Sequence, residues 1–325
     1  MKEIRLKGKT IVITGASSGA GRAAAVEFSQ HQPNLVLASR NLEALEEVAN
    51  ECREFGADVL TVETDVTDPK AVIALANAAN DWHNRLDIWI NNAGVLAAGD
   101  FDSTPIEVHE QVIKTNLLGY MNGAHAAMPF FKAQEHGVLI NNISVGGYLP
   151  VPYGAGYSAS KFGITGFTEA LRGELSQWPE IHVCDLYPAF LDTPGIQHAG
   201  NYTGKQLKPA PPVYDPKRLA EAMVNVANDP QNSTYVGSTS VLLKISHALF
   251  PGLTTKLTGA IMRRYLKKAA PIQSTSGNVF NTVNYGMAPY GGFGIAGKPR
   301  AHRKYIAAGL ATGLIAGVCL TLFRK

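Results

Sequence analysis

The chain has 325 residues, 46% of them apolar and 17% charged, which is enough to bury a full core and too few charges for a disordered chain. Its three cysteines, Cys52, Cys184 and Cys319, follow no ligand or disulfide spacing, which argues against a structural metal and suits a reducing cytosol. The net charge of +3 hides a split: all 26 acidic residues precede position 230, whereas 12 of the 29 Lys and Arg follow it, so the two parts face different surroundings.

The first nine residues are charged and lead directly into an apolar run, a pattern without a secretory signal. From there, strand-length apolar runs fall at 10–14, 34–38, 58–63, 87–90, 138–143, 181–186 and 234–237. Helix-period stretches separate them at 42–55, 69–82, 105–131, 155–178 and 215–228. Such alternation predicts an α/β fold, a doubly wound parallel sheet of about seven strands, forming one domain over 1–245. A helical and loop extension follows. Leu249, Phe250, Leu253, Leu257, Ile261 and Tyr265 recur at helical spacing among Lys256, Arg263, Arg264, Lys267 and Lys268, so 246–270 reads as a basic amphipathic helix, broken near Pro251 and Gly252. Residues 271–300 are rich in Gly, Asn and Pro and read as an extended loop or linker. The nineteen residues 305–323 carry no charge.

The first strand runs into Thr14-Gly15-Ala16-Ser17-Ser18-Gly19-Ala20-Gly21, followed at once by a helix. Glycines allow the tight turn and let backbone N–H groups approach a pyrophosphate, favoured there by the helix N-terminus. Gly15, Ser17, Ser18, Gly19 and Gly21 are therefore cofactor candidates. A second glycine pattern, Gly292-Phe293-Gly294-Ile295-Ala296-Gly297, has no preceding strand and is rejected on context. The second strand ends in Ser39-Arg40 where an NAD site would carry an acid. A guanidinium can hold a 2′-phosphate in a forked contact, so NADP is expected over NAD; the plainer alternative is that Arg40 only opens the next helix in solvent.

Tyr157 and Lys161 lie four apart in Tyr157-Ser158-Ala159-Ser160-Lys161, on one helix face. Ser144 stands thirteen residues earlier, at the carboxyl end of a strand, where open α/β sheets bind ligands. Asn116 sits inside a helix-period stretch, a poor place for Asn without a side-chain task. Asp65-Val66 and Asn91-Asn92-Ala93-Gly94 follow the third and fourth strands.

In this ordered set, over about residues 5–240, the chain resembles the short-chain dehydrogenase/reductases. The resemblance implies that Tyr157 is the acid or base at a carbonyl oxygen, its pKa lowered by Lys161, and that Lys161 also binds the nicotinamide ribose. It implies that Ser144 orients the substrate and that Asn116 holds a water linking Lys161 to solvent. Asp65, Val66, Asn92, Ala93, Gly94, Pro188 and Thr193 join the cofactor contacts. Where the family has Pro-Gly the sequence reads Pro188-Ala189, which puts the local backbone angle in question. A homodimer or homotetramer is implied, partly through the helix of Tyr157.

Val95, Leu96, Tyr148, Tyr153, Phe190 and Leu191 surround the expected pocket, and the proline-rich stretch 194–214 reads as a mobile lid. These linings suit a lipophilic carbonyl or alcohol substrate. As a helix, 305–323 would span about 28 Å, near the thickness of a bilayer's hydrocarbon core. Basic residues bracket it, and Gly309, Gly313 and Gly317 form a small-residue stripe. A transmembrane helix is expected, with the catalytic domain in the cytoplasm; a helix buried against that domain, or one that only oligomerises a soluble enzyme, is the competing reading. The basic helix would lie on an anionic membrane surface or pack on the domain or a partner subunit. No nucleic-acid module is recognisable, so a nucleic-acid partner is not expected. A non-catalytic protein that senses NADPH at a membrane is the rival from another class, though binding alone requires no Ser144, Tyr157 and Lys161.

Overall fold

A computed structural model describes residues 5–294. Nine strands and nine α-helices are present among them, in the order β1 Thr10–Thr14, α1 Gly19–Ser29, β2 Asn34–Ser39, α2 Leu42–Glu54, β3 Asp58–Glu63, α3 Pro69–His83, β4 Ile88–Asn91, β5 Ala97–Ala98, α4 Ile106–Ile113, α5 Gly119–Gln134, β6 Gly137–Asn142, α6 Ala155–Glu174, β7 Ile181–Pro188, β8 Gly200–Asn201, α7 Lys217–Asn228, β9 Ser233–Val236, α8 Ser238–Leu249 and α9 Pro251–Lys268. Seven strands make one parallel sheet in the order β3-β2-β1-β4-β6-β7-β9. This is the doubly wound Rossmann-like arrangement that the alternating pattern predicts.

Strand geometry divides the core in two, because successive side chains point to opposite faces. Ile11, Ile13, Leu35, Leu37, Ile88 and Ile90 pack on one side against Phe28 of α1, Leu45 and Val48 of α2 and Leu219 and Met223 of α7. Val12, Val36, Trp89, Leu139 and Val183 face the other way, onto Leu75 of α3 and Ala127 and Phe131 of α5. With both faces covered, the strands need continuous apolar runs, and β1 is buried at every position. Helix starts follow local rules: Asn41 Oδ1 accepts from Ala44 N–H at 3.0 Å to cap α2, and Asp68 caps α3 ahead of Pro69. The strand order reverses between β1 and β4, which opens a crevice at their carboxyl ends.

The stretch 105–131, continuous by periodicity, is broken. A π-turn over Lys114–Leu118 separates α4 from α5 and carries Asn116. The basic segment is also two helices: α8 and α9 meet at Phe250, whose non-helical backbone (φ −135, ψ 63) and the Pro251 at the first position of α9 make the corner. Among the described residues no helix is long and apolar enough to cross a membrane; the expected span at 305–323 lies outside them. Residues 271–294 form no regular element beyond isolated bridges, yet they return to the carboxyl ends of the strands and pack there.

Candidate functional site

The glycine turn between β1 and α1 depends on its missing side chains. A Cβ at Gly15, which has φ +65, would meet the Ala93 backbone at 2.7 Å, and one at Gly21 would run into the Gly15 carbonyl. Gly19 has φ +53 and faces Thr193 at the start of the loop after β7. Ser17 and Ser18 are half-buried on the rim of the turn. Asn92 fixes the turn from the next strand: its Nδ2 donates to the carbonyls of Thr14 and Gly15 at 3.0 and 3.2 Å, and its Oδ1 accepts from Asn142 Nδ2 at 2.9 Å. The Thr14 hydroxyl accepts from the Ala93 N–H at 3.2 Å, and Gly94 abuts the Asn116 side chain. The turn is a rigid backbone cradle, shaped to admit a pyrophosphate, so the residues present fit a dinucleotide.

At the end of β2, the Ser39 hydroxyl accepts from the Asn41 N–H at 3.1 Å. Arg40 projects across the crevice, and its two guanidinium nitrogens donate to the carbonyls of Asn278 and Phe280 at 2.8 and 2.9 Å. Asp65 holds the loop after β3 by accepting from the Thr67 N–H and hydroxyl, while Val66 packs on Gly119 and accepts through its carbonyl from Asn122. Both residues border the crevice.

Across from the turn, Ser144, Tyr157 and Lys161 come together. Ser144 follows β6 with φ 113, a strained backbone for a residue with a side chain and one that clusters at functional sites. Its hydroxyl accepts from the Gly146 N–H at 3.2 Å and lies close enough to the Tyr157 phenol to favour its ionised form. The Lys161 ammonium lies one turn along α6 from Tyr157 and donates to the Asn142 carbonyl at 3.1 Å. Asn116 is fully buried, but its side chain is committed elsewhere: Oδ1 accepts from Val95 N–H at 2.8 Å, and Nδ2 donates to the Val95 carbonyl and to Ser160 Oγ. A water relay through Asn116 would therefore have to start from its main chain in the π-turn.

Burial sets the electrostatics here. It pushes the Tyr157 phenol above its ordinary pKa, opposed by the neighbouring Ser144 hydroxyl, and pulls Lys161 down to about 7. This differs from the expectation that the Lys161 charge lowers Tyr157: an amine this dry gives up part of its charge before it can stabilise a phenolate. Tyr120, whose hydroxyl also donates to the Asn142 carbonyl, is raised as well, by burial and then by Tyr157.

Pro188 ends β7, and Ala189 continues with its N–H on the Val236 carbonyl; Ala189 is not among the described residues with positive φ, so no glycine is required there. The expected lid is pinned at its middle, where β8 pairs in parallel with β5 and Tyr202 N–H donates to the Ala98 carbonyl. Sequence reasoning missed Asn142, which serves Asn92, Lys161 and Tyr120 together, and Gly146, where a Cβ would meet Tyr157 Cε1 at 2.9 Å. The doubled Asn141-Asn142 at a strand end was the available signal. It also missed Asn278–Phe280, which no local pattern marks. Among the described residues, no His, Cys, Asp and Glu group could hold a metal ion.

Residues 9–201 match the family model described as short chain dehydrogenase. The uncharacterized oxidoreductase YxnA of Bacillus subtilis is 35% identical over 267 residues, covering 81% of this chain and 74% of the relative. The 3beta-hydroxysteroid dehydrogenase 1 of Eggerthella lenta is 33% identical over 254 residues, 76% of this chain and 96% of that one. An alcohol dehydrogenase from the archaeon Thermococcus sibiricus, solved with 5-hydroxy-NADP, has the same fold at 24% identity, with a TM-score of 0.63 over 72% of this chain and 98% of its own.

Proposed function

Because the chain belongs to the short-chain dehydrogenase/reductase family of oxidoreductases, we propose that it interconverts a ketone or aldehyde with an alcohol, using NADP(H) and Tyr157 as the acid or base. One observation carries this reading: Ser144, Tyr157 and Lys161 converge at one place, the Lys161 Nζ 5.8 Å from the Tyr157 ring centre and the Ser144 hydroxyl beside the phenol, next to the glycine cradle. Bound NADPH would supply the hydride, and the oxidised cofactor would take one up.

The chain's own groups do the rest. Tyr157, held protonated by burial, can donate to a carbonyl oxygen while Ser144 orients that oxygen. An amine near pKa 7 can both release and accept a proton at neutral pH, which suits Lys161 to recharge the phenol and to hydrogen-bond the nicotinamide ribose. Arg40 would select the 2′-phosphate; Ser39, Asp65, Val66 and Gly94 would border the adenosine, and Thr193 the carboxamide. A lipophilic substrate is supported by the apolar cluster of Val95, Ala97, Val108 and Val112 against which Tyr157 packs, and by the steroid named for one relative. Turnover of a panel of ketones with NADPH tests the whole. Tyr157→Phe should reduce turnover at least about a thousandfold with NADPH binding retained; full activity in that variant would remove the assignment.

Two further readings rest on exposed apolar side chains. Leu253, Leu257 and Ile261 are about half exposed along α9, beside Lys256, Arg263 and Arg264, which supports attachment to an anionic membrane surface. Exposed Phe162 on α6, with Leu118 at the end of the π-turn and Met121 in the first turn of α5, supports pairing of two copies through these helices.

A further inference from the structure

The C-terminal segment 278–294 occupies the hydrogen-bonding groups of the cofactor crevice. At the adenosine end, the Asn278 and Phe280 carbonyls take both Arg40 nitrogens. At the glycine turn, the Ala288 carbonyl accepts the Gly19 N–H at 3.1 Å, and the Met287 carbonyl accepts from Arg22. Beside Thr193, the Asp192 carboxylate accepts from the N–H groups of Phe293 and Gly294 at 2.7 and 2.8 Å, and Gln197 donates to the Gly291 carbonyl. Between these anchors Val279 is fully buried in the cluster of Val95, Ala97, Val108 and Val112, against which Tyr157 and Tyr202 pack.

A dinucleotide lying from Arg40 past the glycine turn to Thr193 needs the same donors. The two occupants are chemically similar, since peptide carbonyls and phosphate oxygens both accept from N–H groups, but only a phosphate brings the charge that suits a guanidinium. The segment is also imperfectly satisfied: the Asn278 side-chain oxygen is buried without a hydrogen-bond partner, a cost that favours an exchangeable occupant over a fixed one.

We propose that this crevice is the docking site of the chain's own segment 278–294, and that NADP(H) and the segment compete for it. Resting on the cofactor reading above, the inference adds its regulation. The docked segment withholds Arg40 and the Gly19 N–H, and cofactor binding releases 278–294 together with whatever follows it. Anything that draws the C-terminal end of the chain away from the domain opens the crevice, and apparent cofactor affinity is reduced by the docked fraction.

Hydrogen exchange of the full chain, with and without saturating NADPH, tests this directly. Peptides within 276–294 should exchange at least about tenfold faster with NADPH, while those over 10–21 slow. NADPH that binds, as calorimetry would show, yet leaves 276–294 equally or more protected overturns the competition and leaves the cofactor reading intact. A carboxylate in the Val279 cluster should expel the segment, so Val279→Asp should tighten NADPH binding at least about tenfold; unchanged or weaker binding in a folded variant counts against it. Should Val279→Asp fail to fold, Gln197→Ala, which loosens only the Gly291 anchor, should shift affinity the same way by about twofold to fivefold. Failure of NADPH and NADH to bind the parent and both variants would remove the cofactor reading too.

Discussion

Gly146 stands flush against the Tyr157 ring, with 2.9 Å between the place a Cβ would take and Tyr157 Cε1. Its backbone is fixed by the Ser144 hydroxyl, so added bulk must displace the phenol rather than the turn. Gly146→Val should lower kcat by about a hundredfold, since a misplacement of about 1 Å can cost that much, while NADPH affinity changes little. Steady-state kinetics beside a binding titration check it; an equal loss in both would point to general collapse of the site.

Lys161 gives a pH signature without any substrate. Its pKa falls from 10.5 to about 7 on folding, through burial. The unfolded chain therefore holds the extra proton between these values, so the destabilisation is full below pH 7 and fades as pH rises toward 10.5. Thermal melts without nucleotide should show the parent gaining about 1–2 kcal/mol between pH 7 and pH 9 relative to Lys161→Met, a discounted share of 1.36 kcal/mol per pH unit. Parallel pH profiles for the two proteins would contradict the shift.

Arg40 is expected to choose between cofactors. Arg40→Asp should raise KM for NADPH by about tenfold to a hundredfold and shift the preference toward NADH, because a carboxylate repels the 2′-phosphate and accepts from the ribose hydroxyls. An unchanged ratio of kcat/KM for the two cofactors would leave Arg40 without that role.

Asn116 holds both backbone groups of Val95. Asn116→Ala leaves a buried N–H and a buried carbonyl unpaired and should destabilise the fold by about 2–4 kcal/mol, with kcat/KM falling as the Val95 wall loosens. Denaturant unfolding and kinetics on the same sample test both parts.

Replacing Leu253, Leu257 and Ile261 together with Asp should abolish co-sedimentation with anionic vesicles and leave ketone reduction intact, since these side chains are exposed. Retained binding would move the membrane contact elsewhere in the chain.

Much of the frame was legible because the sheet is parallel and buried on both faces, so each strand announces itself as an apolar run between turn residues. The glycine turn, Ser144, Tyr157 and Lys161 were legible for a related reason: their chemistry needs particular residue types at fixed offsets on a strand end and one helix face. Other features left no local trace. The break of α4–α5 at Asn116 costs the hydrophobic period one residue, which a window of apolar spacing smooths over. The placement of 278–294 depends on backbone carbonyls and N–H groups, which almost every residue type supplies alike. The direction of the Tyr157 shift depends on how dry the site is, a property of the packed molecule.

The π-turn at Lys114–Leu118 also constrains how this protein can change. One residue advances a helix by about 100°, and the π-turn already takes up one extra residue, so a further insertion there would swing α4 around its axis relative to α5. Val108 and Val112 would then leave the wall beside Tyr157, and Asn116 would lose Val95. Substitutions across this stretch can be absorbed one at a time; a further lengthening cannot, and insertions should be absent from functional variants over these five positions.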